Sequence, residues 1–288
     1  MKLPAHLTYS KDIFVIKERI LDKGAYFLLG GHLLLLILAW QRPSITAVTG
    51  IPQTLLLLLF SLIHAARTLG YRSTLTFFLL STTFSWLFEQ AGVATGLIYG
   101  AYTYSNMLGP RLGHVPILIP ISWFTMMYPS FIIANLISYG RFAPRFPTQL
   151  PSRLWLSFLA AITMTAWDLT IDPIMTELGM WTWHEEGAYF GVPIHNFLGW
   201  LATTFTIYLV FLAKQKRVEK RPSALLTPAF MTLPVLAYLA QILPILNRPA
   251  LALIASFVMG PLALIALAQT WQISGAPATD QTPMPPEP

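Results

Sequence analysis

Residues Ser152–Ile171 read SRLWLSFLAAITMTAWDLTI. The run matches the roughly 20 residues an α-helix needs to cross the hydrocarbon core of a bilayer. Beyond Arg153 its single charge is Asp168. Seven further apolar runs flank it, at about 25–40, 52–66, 74–90, 117–138, 195–213, 226–244 and 249–271. Several are shorter than a bilayer requires, so their ends extend into the flanking residues. The pattern predicts an all-α, polytopic integral membrane protein with about eight transmembrane helices. Composition agrees, with 55% hydrophobic and 10% charged residues, where a soluble domain has about 25% charge.

Basic residues set the orientation. Lys2, Lys11, Lys17, Arg19 and Lys23 precede the first span; Arg67 and Arg72, then Arg141, Arg145 and Arg153, then Lys214, Lys216, Arg217, Lys220 and Arg221 fill the second, fourth and sixth loops. The opposite loops hold Arg42, Arg111 and Arg248. Cytoplasmic loops are the Lys- and Arg-rich ones, so both termini are expected in the cytoplasm. The expected organisation is a cytoplasmic segment 1–24, one helical membrane domain 25–273 and a Pro-rich, disordered tail 274–288. No cleavable signal peptide is expected in the charged first 24 positions. The net charge of +6 forms no recognition helix or aromatic-interleaved patch, so nucleic acid is not an expected partner.

The sequence has no cysteine, which excludes disulfides, thiolate metal sites and thiol nucleophiles and leaves the chemistry to carboxylates, histidines, hydroxyls and aromatics. Of twelve acidic residues, six lie on the expected outer side: Glu89, Asp168, Asp172, Glu177, Glu185 and Glu186. Asp168 and Asp172, four apart, share one helix face. A carboxylate within the bilayer costs about 2.5 to 3.5 kcal/mol on insertion scales, and Asp168 lies a full turn inside its run. Pro173 is expected to end that span just after Asp172. The acids are bordered by two aromatic, glycine-rich loops, one with Gly96, Tyr99, Gly100, Tyr102 and Tyr104, the other with Trp181, Trp183, Tyr189 and Phe190. Each loop enters the next span through Val-Pro-Ile with a tryptophan seven residues after the proline, Trp123 and Trp200. This suggests a duplicated two-helix unit around one cavity. His195 and Asn196 begin the sixth span near the depth of Asp172. His184-Glu185-Glu186 opens like a zinc-protease motif, but Ala188 stands where the second histidine belongs, and no metal site is expected.

The spaced pattern Glu89-x-x-Gly92-x-x-Thr95-Gly96-x-x-Tyr99-Gly100-x-Tyr102-x-Tyr104, Val115-Pro116, Pro120-x-x-Trp123, Trp167-Asp168-x-x-x-Asp172-Pro173, Trp181-x-Trp183 and Asn196-Phe197-x-Gly199-Trp200 resembles the membrane carotenoid 1,2-hydratase family, the CruF-like proteins. The resemblance covers residues 89–200. It implies addition of water across the terminal 1,2 double bond of an acyclic carotenoid end group, with no cofactor. The residues suit that chemistry. Hydrating an unactivated trisubstituted alkene needs a proton donor, support for a tertiary cation, and water. A carboxyl withdrawn from water beside a second carboxyl can hold its proton near neutral pH. Asp168 is the expected donor, with Asp172, Glu89 and His195 as the other candidate catalytic groups. Tyr99, Tyr102, Tyr104, Trp123, Trp167, Trp181, Trp183, Asn196 and Trp200 are the expected substrate contacts, their rings supporting a cation by about 0.5 to 2 kcal/mol each.

Two other readings compete. Asp168-x-x-x-Asp172 resembles half of the paired aspartate motif of an intramembrane prenyltransferase acting on isoprenoid lipids, but only one half is present and the fifth-to-sixth loop has no Lys or Arg for a diphosphate. A non-catalytic carotenoid or lipid carrier would explain the aromatics and leave the acids without a role. The orientation is testable: reporter fusions after Lys220 should read cytoplasmic and fusions within 181–189 external, and the reverse pattern would place the acids on the cytosolic side.

Overall fold

The computed structural model describes residues 5–215 and 227–275. The eight expected runs become α1 (Ala5–Gln41), α2 (Thr46–Thr68), α3 (Tyr71–Thr95), α4 (Leu118–Tyr139), α5 (Leu150–Glu177), α6 (Ile194–Lys214), α7 (Pro228–Ala240) and the pair α8 (Pro249–Val258) and α9 (Gly260–Gly275). The protein is an all-α, polytopic membrane protein. Six of these helices are long and apolar enough to cross a bilayer alone, α7 together with the turn that follows it. The pair α8 and α9, bent by 44° just before Pro261, makes a seventh. The remaining run, α3, has 25 residues and spans roughly 37 Å at 1.5 Å per residue. Its hydroxyl and acid content, Ser81, Thr82, Thr83, Ser85 and Glu89, makes it less apolar than the others. Helix α1 runs unbroken from Ala5 through the charged residues of the expected N-terminal segment into the membrane span. Most of the sixth, basic loop and of the expected disordered tail lies outside the described residues.

At the centre stands α4, packed against α2, α3, α5, α7 and α9. Its residues Trp123 to Leu136 are buried without interruption, as a helix apolar on every side must be. The other helices ring it and turn part of their apolar surface outward, as at Phe27, Leu79, Phe257 and Leu264. Buried tyrosines staple the ring: the Tyr208 hydroxyl donates to the Met127 carbonyl and that of Tyr238 to Thr163, both at 2.8 Å.

Prolines inside three helices are answered by neighbours. A proline lacks the N–H that would bond the carbonyl four residues back, and inside a bilayer that carbonyl needs a partner. For Pro129 of α4 the freed carbonyl is Thr125, which accepts from the Ser61 hydroxyl of α2 at 3.2 Å. For Pro234 of α7 it is Phe230, which accepts from His64 Nε2 at 2.8 Å. For Pro173 it is Leu169, which accepts from the Tyr189 hydroxyl at 3.0 Å. This last bond corrects the expectation that Pro173 ends its span: α5 continues to Glu177 because Tyr189 replaces the missing donor.

Four short strands complete the elements, β1 (Tyr102–Tyr104), β2 (Arg111–Leu112), β3 (Val115–Pro116) and β4 (Trp181–Trp183). At the opposite end of the bundle, buried Arg67 of α2 ties down α1. Its Nε and Nη2 reach the Asp22 carboxylate at 2.6 and 3.1 Å, and its Nη1 pairs with Glu18. Removing one partner of a buried ion pair leaves uncompensated charge. Arg67→Met should therefore cost about 3 to 5 kcal/mol, read as a lowered unfolding midpoint in detergent.

Candidate active site

Two loops that the sequence leaves irregular are joined by hydrogen bonds. Strand β1 pairs antiparallel with β4 in the register Tyr102 to Trp183, Thr103 to Thr182 and Tyr104 to Trp181. Side chains alternate along a strand, so both tyrosines and both tryptophans face one side and the threonines the other. Tyr102 and Trp183 rings lie 5.0 Å apart, Tyr104 and Trp181 5.9 Å. This ribbon roofs the ends of α3 and α5. The chain reaches it through Gly96, which caps α3 in the left-handed conformation at φ 69°. Tyr99 then wedges between α3 and α6, donating to or accepting from the Thr203 hydroxyl at 2.9 Å. A Cβ on Gly92 would lie 2.7 Å from the Tyr99 ring, and one on Gly199 would lie 2.2 Å from the Ile98 carbonyl. The glycines of the sequence pattern are the space into which Tyr99 fits.

Beneath the roof, Glu89, Asp168 and Asp172 are all buried and line one cavity of about 220 Å³. Glu89 Oε2 accepts from both the Tyr102 and the Tyr104 hydroxyls, the latter at 2.7 Å. Burial and the adjacent Glu89 charge push both phenols well above their ordinary range, so each stays an O–H donor. Asp168 and Asp172 share one donor: Asn196 Nδ2 lies 3.3 Å from Asp168 Oδ2 and also bonds Asp172 Oδ2. The other Asp168 oxygen, Oδ1, has no hydrogen-bond partner among the described residues. Trp123 and Trp200 stack at 4.2 Å and 9°, and Trp167 meets Trp200 edge-on at 6.2 Å. The two tryptophans that follow the two Val-Pro-Ile motifs are thus in face-to-face contact.

Of the expected site residues, Glu89, Asp168, Asp172, Tyr99, Tyr102, Tyr104, Trp123, Trp167, Trp181, Trp183, Asn196 and Trp200 line this cavity. His195 does not. It is exposed at the start of α6, one residue and about 100° from the face carrying Asn196, Gly199, Trp200 and Thr203. Asn196, expected to touch substrate, spends its amide on the two aspartates. The other acids of this expected group stand apart: Glu177 pairs with Arg248 at 2.7 and 2.9 Å, and Glu185 and Glu186 are exposed loop residues. Among the cavity residues that escaped the sequence reading are His32 of α1, Gln53 of α2 and Gln241 at the end of α7. For His32 a signal was present, since an imidazole inside an apolar run is rare, as the acids are. Two of the cavity's lining residues, Ile51 of α2 and Met107 of the turn 106–108, are 44% and 54% exposed.

A curated relative, bisanhydrobacterioruberin hydratase of Haloarcula japonica, is 34% identical over 131 residues, 45% of this chain. The matched stretch spans 42% of that relative's length. No solved structure matches. The profile of the family described as "Carotenoid biosynthesis protein" matches residues 46–263, which takes in α2 to α8 and every acid and aromatic of the cavity, and the chain belongs to that family.

Proposed function

We propose that this protein adds water across the terminal 1,2 double bond of an acyclic carotenoid end group, at a site facing away from the basic loops and hence from the cytoplasm. The observation that carries the reading is Asp168: a buried carboxyl with one oxygen unpartnered among the described residues, at the wall of a cavity rich in indole and phenol rings. The name of the relative supports it, since that protein is a carotenoid hydratase.

In the proposed reaction Asp168, in its neutral form, gives its proton to the alkene carbon that bears hydrogen. The π electrons form that C–H bond and leave a tertiary cation at the dimethyl-bearing carbon. Glu89, held by two phenol donors, offsets the positive charge, and the Trp123 and Trp200 faces add cation–π support. Water forms the C–O bond, and its released proton returns to the Asp168–Asp172 pair through their shared Asn196 neighbourhood. The sum is one water added and the acid restored. A carotenoid is long enough to cross the hydrocarbon core of about 30 Å, so its end reaches the cavity while the polyene stays in the apolar phase.

The convergence of three acids supports catalysis over carriage, because a carrier gains nothing from buried carboxyls that cost energy to place there. Diphosphate chemistry is disfavoured, since no Lys or Arg among the described residues lines the cavity. Membranes containing the protein should convert an acyclic end group to its 1-hydroxy-1,2-dihydro form without oxygen or added cofactor, the hydroxyl oxygen coming from ¹⁸O-labelled water. Label arriving from molecular oxygen instead would make the protein an oxygenase. Asp168→Asn keeps the shape and removes the transferable proton, so activity should fall about 10²- to 10⁴-fold, the usual contribution of general acid catalysis. His195→Ala, altering an exposed residue outside the cavity, should leave turnover unchanged, and a large loss would return His195 to the mechanism.

A further inference from the structure

The acids occupy one part of the cavity wall. Another part belongs to α1, α2 and α7, which contribute His32, Gln53 and Gln241. Hydrogen bonding fixes the state of all three. His32 Nδ1 lies 3.0 Å from the Gln53 backbone carbonyl, which can only accept, so Nδ1 carries the proton. His32 Nε2 is then an acceptor, and the Gln241 amide nitrogen donates to it at 3.0 Å. That nitrogen also lies 3.2 Å from the Ala237 carbonyl, so its donors are spent. The Gln53 amide nitrogen likewise spends its donors on the Thr49 hydroxyl at 2.9 Å and the Leu35 carbonyl at 3.4 Å. Neither glutamine carbonyl oxygen has a hydrogen-bond partner among the described residues. The free polar capacity that these residues bring to the cavity therefore consists of acceptors without formal charge.

Acceptors alone do not hold an anion, and a cation would go to the carboxylates. Two neutral carbonyl oxygens at a cavity wall select a neutral O–H donor. Apolar residues would be cheaper at these positions in a membrane span, and the α1, α2 and α7 residues take no part in the acid cluster. We propose that His32, Gln53 and Gln241 form a second subsite of the cavity, one that accepts a hydrogen bond from an O–H group: the water that adds to the alkene, or a hydroxyl the polyene already carries. His32 is a positioning residue here, since it orients Gln241 and offers no free atom itself. The water alternative rests on the hydratase reading; the hydroxyl alternative needs only that a polyene binds.

Two ratios test this, each measured within a single protein so that a general loss of stability cancels. The first uses quenching of the cavity tryptophans in nanodiscs, titrated with an acyclic polyene hydrocarbon and with its hydroxylated analogue. The second uses turnover in water–methanol mixtures, where the cation partitions between alcohol and methyl ether. If the subsite takes a substrate hydroxyl, the wild type should bind the hydroxylated polyene about fivefold more tightly, the scale of one net hydrogen bond. If it takes water, the wild type should form alcohol over ether about fivefold beyond the bulk water-to-methanol ratio, on the same scale. In either case Gln241→Met, which keeps side-chain length and removes the acceptor, should bring that ratio close to one. Gln53→Met, on a different helix, should do the same and guards against a local folding failure in the first variant. A wild type with neither preference overturns the subsite, as does a preference that survives in both variants. Quenching without turnover would end the hydratase reading while the affinity ratio still decides the subsite, and no quenching by either polyene removes both.

Discussion

Inside a bilayer no water is present to satisfy a stray carbonyl, and this fold depends on how it meets that constraint at its prolines. Four of the described helices contain an internal proline, and in three of them, α4, α7 and α5, a side chain from another segment takes the freed carbonyl: Ser61, His64 and Tyr189 respectively. A lost intrahelical bond becomes a bond between segments. His64 shows how closely this is controlled. Its Nε2 serves the Phe230 carbonyl, so its Nδ1 must accept from the Tyr128 hydroxyl at 2.6 Å, and Tyr128 in turn meets Thr68 at 2.7 Å. One proline in α7 thereby registers α2, α4 and α7 against each other. The Tyr189 bond matters most for the site, because it carries α5 past Pro173 as a helix and so keeps Asp172 on the same face as Asp168.

The end of the bundle that holds the acids combines two kinds of structure. Helices deliver the acids, and a two-stranded ribbon covers them. The ribbon is viable because it lies beyond the helix ends and its inward side chains are amphipathic. Tyrosine and tryptophan present an apolar body to the cavity and a single polar atom to a partner. For Tyr102 and Tyr104 that partner is Glu89, and the Trp183 indole N–H lies 3.2 Å from the Thr176 hydroxyl. Pairing between loops separated by almost eighty residues also ties the α3–α4 unit to the α5–α6 unit, an arrangement that the stacked Trp123 and Trp200 continue deeper in the bundle.

Much of this was legible in the sequence, and the parts that were not share a physical cause. Apolar runs and intramembrane acids are strong local signals, so the helical units, the acid triad and the paired tryptophans follow from spacing alone. Strand pairing of Tyr102–Tyr104 with Trp181–Trp183 is a non-local contact of three residues, too short to leave a period of its own. Pro173 reads as a stop because the rule for proline is local, while the donor that overrides it comes from Tyr189, sixteen residues on. His195 misleads because proximity along the chain to Asn196 is not proximity in angle around a helix. His32, Gln53 and Gln241 come from three distant spans, and only folding brings them to one wall.

The size of the cavity limits what this protein can distinguish. About 220 Å³ encloses a terminal fragment of any molecule long enough to match the bilayer's thickness. Under the proposed function, the rest of the molecule lies outside the cavity, in the apolar phase of the membrane. Such a protein reads the last few carbons of a chain and is indifferent to total length or to what the far end carries. The same pocket can then serve symmetric and asymmetric molecules alike, visiting one terminus at a time, and the order of those visits would be set by diffusion in the membrane.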